Sequence, residues 1–286
     1  MYLVIDIGGT YTKYGYYQKD GHCLKKSKIP TVKTNLADFY NSLTSLIKDD
    51  VVGIAISMPG IIESQTGYVH AITLLPFLAN HSLKQELEDI THLPVSVEND
   101  AKCAALGEMW KGSLQNAHNA LMIVFGSGIG GTLILDGKIY NSHHHKAGEI
   151  GSILMNTDDT YKVMTNFGKN NSANALIASM SQMMGCLEDG QVVFEKIQDH
   201  PTAYQHFLKY CRQIAFMIYN LDYILDLDVV CIGGGISEQP ILITAIQQEF
   251  QKLRQQYQED EHQPIITACH YYNDANLLGA LKNHIS

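Results

Sequence analysis

The chain has 286 residues, of which 45% are apolar and 17% charged, an ordinary globular composition with room for two modest α/β domains. With 20 basic against 29 acidic residues the net charge is −9. That charge repels phosphate backbones and argues against nucleic acid as a partner, but local backbone N–H groups can still hold a nucleotide.

Tyr2–Ile7 reads as a strand, followed by the turn Gly8-Gly9-Thr10 and a second strand over Tyr11–Gln18. Asp20-Gly21 is a hairpin signal before a third strand over Cys23–Ile29. A helix is expected over Leu36–Ile47, then an apolar strand Val51–Ser57 that Pro59-Gly60 breaks. Next come a helix over Leu83–Ile90, a strand over Pro94–Glu98 and a helix from Asp100 to Trp110, which Asn99 or Asp100 can cap. The pattern then restarts: strand Ala120–Phe125, glycine loop Gly126–Gly131, strand Thr132–Leu135 and the turn Asp136-Gly137. Strand, Gly-Gly-Thr, strand, Asp-Gly thus occurs twice, which suggests a duplicated fold with a cleft between its halves. The polar stretch Asp158–Ser172 reads as a long loop. Helices are expected over Ala173–Met184 and Pro201–Leu225, then strand Val229–Ile232, Gly233-Gly234-Gly235, helix Pro240–Tyr257, strand Ile265–Ala268 and helix Ala275–His284. Alternating strands and helices make this an α/β protein with mixed sheets. The expected division is 1–115 plus the C-terminal helix 275–286 as a small N-terminal domain, and 116–274 as a larger one.

No apolar run is long enough for a bilayer, and Met1 leads into the first strand with no basic leader, so the expected location is the cytoplasm. The six cysteines, Cys23, Cys103, Cys186, Cys211, Cys231 and Cys269, contain no C-x-C or C-x-x-C pair, and reduced, buried thiols are expected.

Three glycine turns follow apolar strands, and glycine lets backbone N–H groups crowd against phosphate oxygens. No P-loop motif is present, and Gly126–Gly131 leads into a strand, which rejects the dinucleotide reading. Asp6, at the end of the first strand, could hold Mg²⁺ through water or simply cap its turn. Asp100, taken alone, is better read as a helix cap than as a general base. Glu149 could accept hydrogen bonds from sugar hydroxyls or be a solvated charge. His143-His144-His145 makes a poor chelate if the segment is extended, because adjacent side chains then alternate faces; a polar loop with one imidazole near the sugar is expected, and a metal site is the alternative.

Ile5-Asp6-Ile7-Gly8-Gly9-Thr10, Ser57-Met58-Pro59-Gly60, Val97-Glu98-Asn99-Asp100-Ala101, Gly126–Gly131, Ala147–Gly151 and Ile232–Gly235 resemble, in order, the motifs of the ROK family of bacterial sugar kinases and sugar-responsive repressors. The resemblance implies the duplicated actin-like (ribonuclease H-like) ATPase fold and transfer of the ATP γ-phosphate to a sugar hydroxyl. By position, Asp100 resembles the catalytic base, and Asn99, Glu149 and Gly60 the sugar site. Asp6, Gly8, Gly9, Thr10 and Lys13 then belong to the first phosphate site, with Mg²⁺ at Asp6. Ser127, Gly128, Gly130 and Gly131 fall to the second phosphate loop, and Gly233, Gly234 and Gly235 to the adenosine turn. Ser152 and Phe167-Gly168-Lys169-Asn170 replace the histidine and cysteines of the zinc cluster that many members carry, so no zinc is expected. Ile72-Thr73-Leu74 replaces an Asn-Leu-Pro usual in glucokinases. Together with Tyr219-Asn220-Leu221 and Ile232–Ser237, these departures resemble the zinc-less β-glucoside kinase branch. A homodimer acting on a hexose or β-glucoside, at the primary 6-hydroxyl, is therefore expected. Glucose or an N-acetylhexosamine such as N-acetylmannosamine are the alternative acceptors, and polyphosphate the alternative donor. A sugar-sensing regulator is the rival class, but no helix-turn-helix fits ahead of a strand that starts at residue 2.

Overall fold

The computed structural model describes residues 1–154, 166–186, 189–258 and 262–286. They form two compact units, Met1–Gln115 with Asn141–Lys146 and Asp274–Ser286, and Asn116–Tyr140 with Ala147–Asn273.

In the first unit β1 (Tyr2–Ile7) pairs antiparallel with β2 (Tyr11–Tyr17), which pairs with β3 (Cys23–Pro30). Lys25, Lys26 and Lys28 line the exposed edge strand β3, a charge pattern that blocks pairing with another chain. Helix α1 (Leu36–Thr44) starts at Asn35, whose side chain accepts the Asp38 N–H at 2.9 Å. Strand β4 (Gly53–Met58) is buried along its whole length, the run of small and apolar residues that a central parallel strand requires. The hairpin β5 (Ile61–Glu63) and β6 (Tyr68–Ala71) follows, then α2 (Leu83–Thr91), β7 (Val95–Asn99) and α3 (Asp100–Lys111). The sheet order is β3-β2-β1-β4-β7, with β1, β4 and β7 parallel.

The second unit repeats this plan. Strands β8 (Ala120–Phe125), β9 (Ile129–Leu135) and β10 (Lys138–Ile139) form the antiparallel side. Helices α4 (Phe167–Asn171), α5 (Ala173–Met184), α6 (Gly190–Lys196) and α7 (Pro201–Leu225) precede β11 (Val229–Gly233), and α8 (Pro240–Gln256) precedes β12 (Ile265–Ala268). The order β10-β9-β8-β11-β12, with β8, β11 and β12 parallel, matches the first sheet strand for strand. Phe207, Ile214, Ile218, Ile246 and Phe250 of α7 and α8 are buried in its core. Between these helices the buried Glu249 accepts from Arg212 Nε at 2.7 Å and Lys252 Nζ at 2.6 Å.

The final helix α9 (Ala275–Ile285) belongs to the first unit and crosses α3 at backbone distance. A Cβ on Gly107 would lie 2.5 Å from the Ala275 carbonyl oxygen, and one on Gly279 would collide with the Cys103 carbonyl. Residues Asn141–Lys146 and Asp274, expected in the second half, group with the first. Lys102 Nζ donates to Asn141 Oδ1 at 2.7 Å, and Lys26 pairs with Asp274 at 2.5 Å.

Five elements differ from the sequence reading. Strand β9 begins at Ile129, inside the expected glycine loop, because Gly130 and Gly131 pair with Val124 and Ile123. Part of the expected loop Asp158–Ser172 is α4, held by the buried Phe167, whose N–H donates to the Ile153 carbonyl at 2.7 Å; the rest of that stretch up to residue 165 lies outside the described residues. The hairpin β5–β6 and helix α6 had no counterpart in the sequence reading. Among the described residues, no helix is long and apolar enough to cross a membrane.

Candidate active site

The parallel strands of the first sheet end in a polar row. Asp6 lies opposite Ser57, and Ser57 opposite Glu98. Asp6 is only 7% exposed. Its Oδ1 accepts from Ser57 Oγ at 2.9 Å and from Asn276 Nδ2 of α9 at 3.1 Å. Burial pushes the Asp6 carboxyl above its ordinary value of 3.8, against the opposing pull of Asn276, Lys13 and Ser57. Lys13 lies opposite Asp6 on β2. No hydrogen bond reaches Asp6 Oδ2 from the described residues. A largely buried carboxylate with one oxygen left without a hydrogen bond, beside a glycine turn, is a fit for a hard divalent cation.

That turn is Gly8–Thr10. Thr31 pins it by donating its hydroxyl to the Gly8 carbonyl at 2.7 Å and its N–H to the Thr10 carbonyl at 3.0 Å. Gly9 and Thr10 are exposed at its tip.

One strand over, the break after β4 meets the start of α3. Asn99 is the cap: its Oδ1 accepts the Lys102 N–H at 3.1 Å, while its Nδ2 donates to the Gly60 carbonyl at 3.0 Å. Gly60 has φ +121°, and a Cβ there would lie 2.6 Å from the Ala71 carbonyl oxygen; only glycine fits. Asp100 is the first helical residue, half-buried, with Oδ1 accepting the Ala101 N–H at 2.8 Å. The capping role therefore belongs to Asn99. Behind them Glu98 accepts from Ser64 Oγ and lies 3.9 Å from Lys102 Nζ.

In the second unit the turn after β8 is Gly126-Ser127-Gly128, closed by the Gly126 N–H donating to the Gly128 carbonyl at 2.9 Å. All three residues are exposed, and a Cβ on either glycine would meet open space. Gly131 instead allows a close backbone approach, since a Cβ there would lie 2.5 Å from the Gly148 carbonyl oxygen. Its bareness lets Ala147–Gly151 lie against β9 and present Glu149, partly exposed, ahead of the turn Ile150–Ser152. On the neighbouring strand, Gly234 has φ +89°, and a Cβ would collide with the Phe125 carbonyl. Between the Ser127 turn and Gly235 opens a pocket of about 660 Å³, within the usual range for small-molecule sites. Helices α5 and α6 complete its wall through Asn174, Ile177, Gln191 and Glu195.

The expected site residues thus form two sets. Asp6, Gly8, Gly9, Thr10, Lys13, Gly60, Asn99 and Asp100 gather in the first unit, and Ser127, Gly128, Gly130, Gly131, Glu149, Gly233, Gly234 and Gly235 in the second. The sequence reading missed Asn276, Lys102 and the polar residues of α5 and α6. The cap sequence Asp189-Gly190, where Asp189 Oδ1 accepts the Gln191 N–H at 2.8 Å, was the available signal for α6. The histidine run is a turn and not an extended segment: the His145 N–H donates to the Ser142 carbonyl at 3.0 Å, and His145 has φ +55°.

Residues 2–283 match the ROK family. The chain is 32% identical over 288 residues to the glucokinase of Halalkalibacterium halodurans, covering 87% of this chain and 85% of that protein. It is 30% identical over 254 residues to the β-glucoside kinase of Klebsiella pneumoniae, covering 86% of this chain and 85% of the relative.

The chain belongs to the ROK family.

Among solved ROK structures, a family protein from Streptococcus pneumoniae TIGR4 in complex with sucrose is similar with a TM-score of 0.87 and 30% identity, covering 99% of this chain and 97% of its own. The two matching sheets are those of the duplicated actin-like fold of ROK sugar kinases.

Proposed function

We propose that this ROK protein is an ATP-dependent sugar kinase that transfers the γ-phosphate to the primary 6-hydroxyl of a hexose or β-glucoside. The observation that carries the reading is the junction of β7 and α3. There Asn99 takes over the cap, clasps Gly60, and sets the Asp100 carboxylate at the edge where three parallel strands end. Ligands in open α/β sheets bind at such strand ends. The similarity to a glucokinase and a β-glucoside kinase supports the same activity.

In this reading Asp100 accepts the proton of the attacking hydroxyl. Asn99 and the backbone at Gly60 orient the sugar, and Glu149 accepts from a sugar hydroxyl. Gly8, Gly9, Thr10 and Lys13 form one phosphate site, and Ser127, Gly128 and Gly130 form the second phosphate loop. Gly233–Gly235 and the adjoining pocket receive the adenosine. Magnesium at Asp6 supplies neutralisation of phosphate charge. Positioning and fixed donors are what phosphoryl transfer requires of a protein. Acceptors rank β-glucoside, then glucose, then N-acetylhexosamine, and the enzyme works as a cytoplasmic homodimer.

A coupled ADP assay across these sugars tests the reading: ADP release must depend on both sugar and Mg²⁺. Absence of sugar-dependent release with every acceptor would sink it.

A further inference from the structure

Beside the proposed acceptor site, the first unit carries a row of rings that the proposed chemistry does not use. Tyr68 and His70 share one face of β6, as residues two apart on a strand do; their centroids are 4.9 Å apart at 69°. His145 stacks on His70 with centroids 5.7 Å apart and planes 20° apart. His70 is exposed, while Tyr68 and His145 are partly so. Among the described residues nothing hydrogen-bonds the buried His145 Nδ1, so stacking, not a polar anchor, orients this ring.

Both supports of the row lead back to the base. On one side, Asn99 holds the Gly60 carbonyl, Gly60 abuts Ala71, and His70 is the next residue. On the other, Lys102, two residues beyond Asp100, holds Asn141, four residues before His145. Burial, with Lys102 and His70 alongside, pushes His145 below its ordinary value, against the pull of Glu63 and Glu98. The imidazole is therefore neutral at pH 7 and offers an uncharged π face.

We propose that Tyr68, His70 and His145 form a stacking platform for the second ring of a β-linked disaccharide or aryl β-glucoside whose first ring is held at Asn99, Gly60 and Asp100. The inference rests on the sugar kinase reading and adds the side chains that select a β-linked acceptor over a single sugar. A pyranose ring has C–H groups on its faces with a slight positive charge, and these complement the negative face of an aromatic ring. Because it meets the second ring only, the platform acts on selectivity and not on the chemical step.

The test compares kcat/KM for cellobiose and for glucose in the wild type, His70→Ala and His70→Phe, with thermal melts to confirm folding. The selectivity ratio, cellobiose over glucose, should fall roughly five- to tenfold in His70→Ala, the loss expected for one stacking pair. His70→Phe, which restores a ring, should keep it. A ratio unchanged in His70→Ala, or equal losses for both sugars in both variants, would overturn the platform. So would a wild type that phosphorylates glucose but no β-disaccharide or aryl β-glucoside. If the wild type phosphorylates no sugar at all, the kinase reading fails first and the platform with it.

Discussion

The two units share one sheet plan but differ at the ends of their parallel strands. In the first, the penultimate residue of the leading strand is Asp6, buried and hydrogen-bonded to Ser57 and Asn276. In the second, the same position of β8 is Val124, and β8 and β11 end in glycine turns beside an open pocket. A duplicated scaffold thus keeps charge in one copy and room in the other. The difference teaches that topology fixes where a site can form, while a few strand-end residues decide what it does.

The comparison breaks most visibly at Asp6. Asp6→Ala should lower kcat at saturating sugar about a hundredfold or more, since one charge-positioning group of this kind is worth that much. In the wild type, activity at limiting Mg²⁺ should fall on acidification and recover with excess Mg²⁺, because proton and cation compete for a carboxyl whose value burial has raised. Mg²⁺-independent turnover would contradict the assignment.

A smaller effect is expected from the room in the second unit. Asn174 is an exposed residue of the pocket wall. Asn174→Trp should fill the pocket and raise the KM for ATP by about tenfold, equivalent to roughly 1.4 kcal/mol of binding, with the KM for sugar little changed. Equal shifts in both constants would place the nucleotide elsewhere.

The smallest effect concerns stability. His284 of α9 is held below its ordinary value of 6.5 chiefly by burial, with Lys84 lowering and Glu88 raising it; Nδ1 lies 3.0 Å from Ser96 Oγ. With the folded value depressed, the folded protein binds fewer protons than the unfolded chain. Stability is therefore present above pH 6.5 and is lost as pH falls toward the folded value. His284→Gln should flatten the fall in Tm between pH 7.5 and 5. An identical slope in the variant would mean that other groups carry it.

Much of this was legible in the chain itself. The regular elements with clean periodicity, such as β1, β8, α5, α7 and β12, were readable because local pattern and burial agree. Asp6, Gly60, Asn99 and Asp100 stood out because each lies where an apolar strand meets a breaker or a cap. What escaped notice depends on segments distant in sequence. Gly131 reads as loop chemistry until Gly148 is seen against it, and Phe167 reads as part of a polar stretch until Ile153 receives its N–H. The Lys102–Asn141 bond and the stack of His145 on His70 join residues 39 and 75 positions apart, beyond the reach of any local pattern.

The central claim is that Asp100 is the base while Asn99 is the cap. Asp100→Asn separates the two roles, because the amide keeps a hydrogen-bonding group but cannot take the proton. The decisive measurement is single-turnover phosphorylation of glucose and of cellobiose by this variant, with sugar affinity read by calorimetry on the same preparation. The account predicts a rate reduced roughly a hundredfold or more, an unchanged melting temperature and only a modest loss of sugar affinity. A rate close to that of the wild type would contradict it.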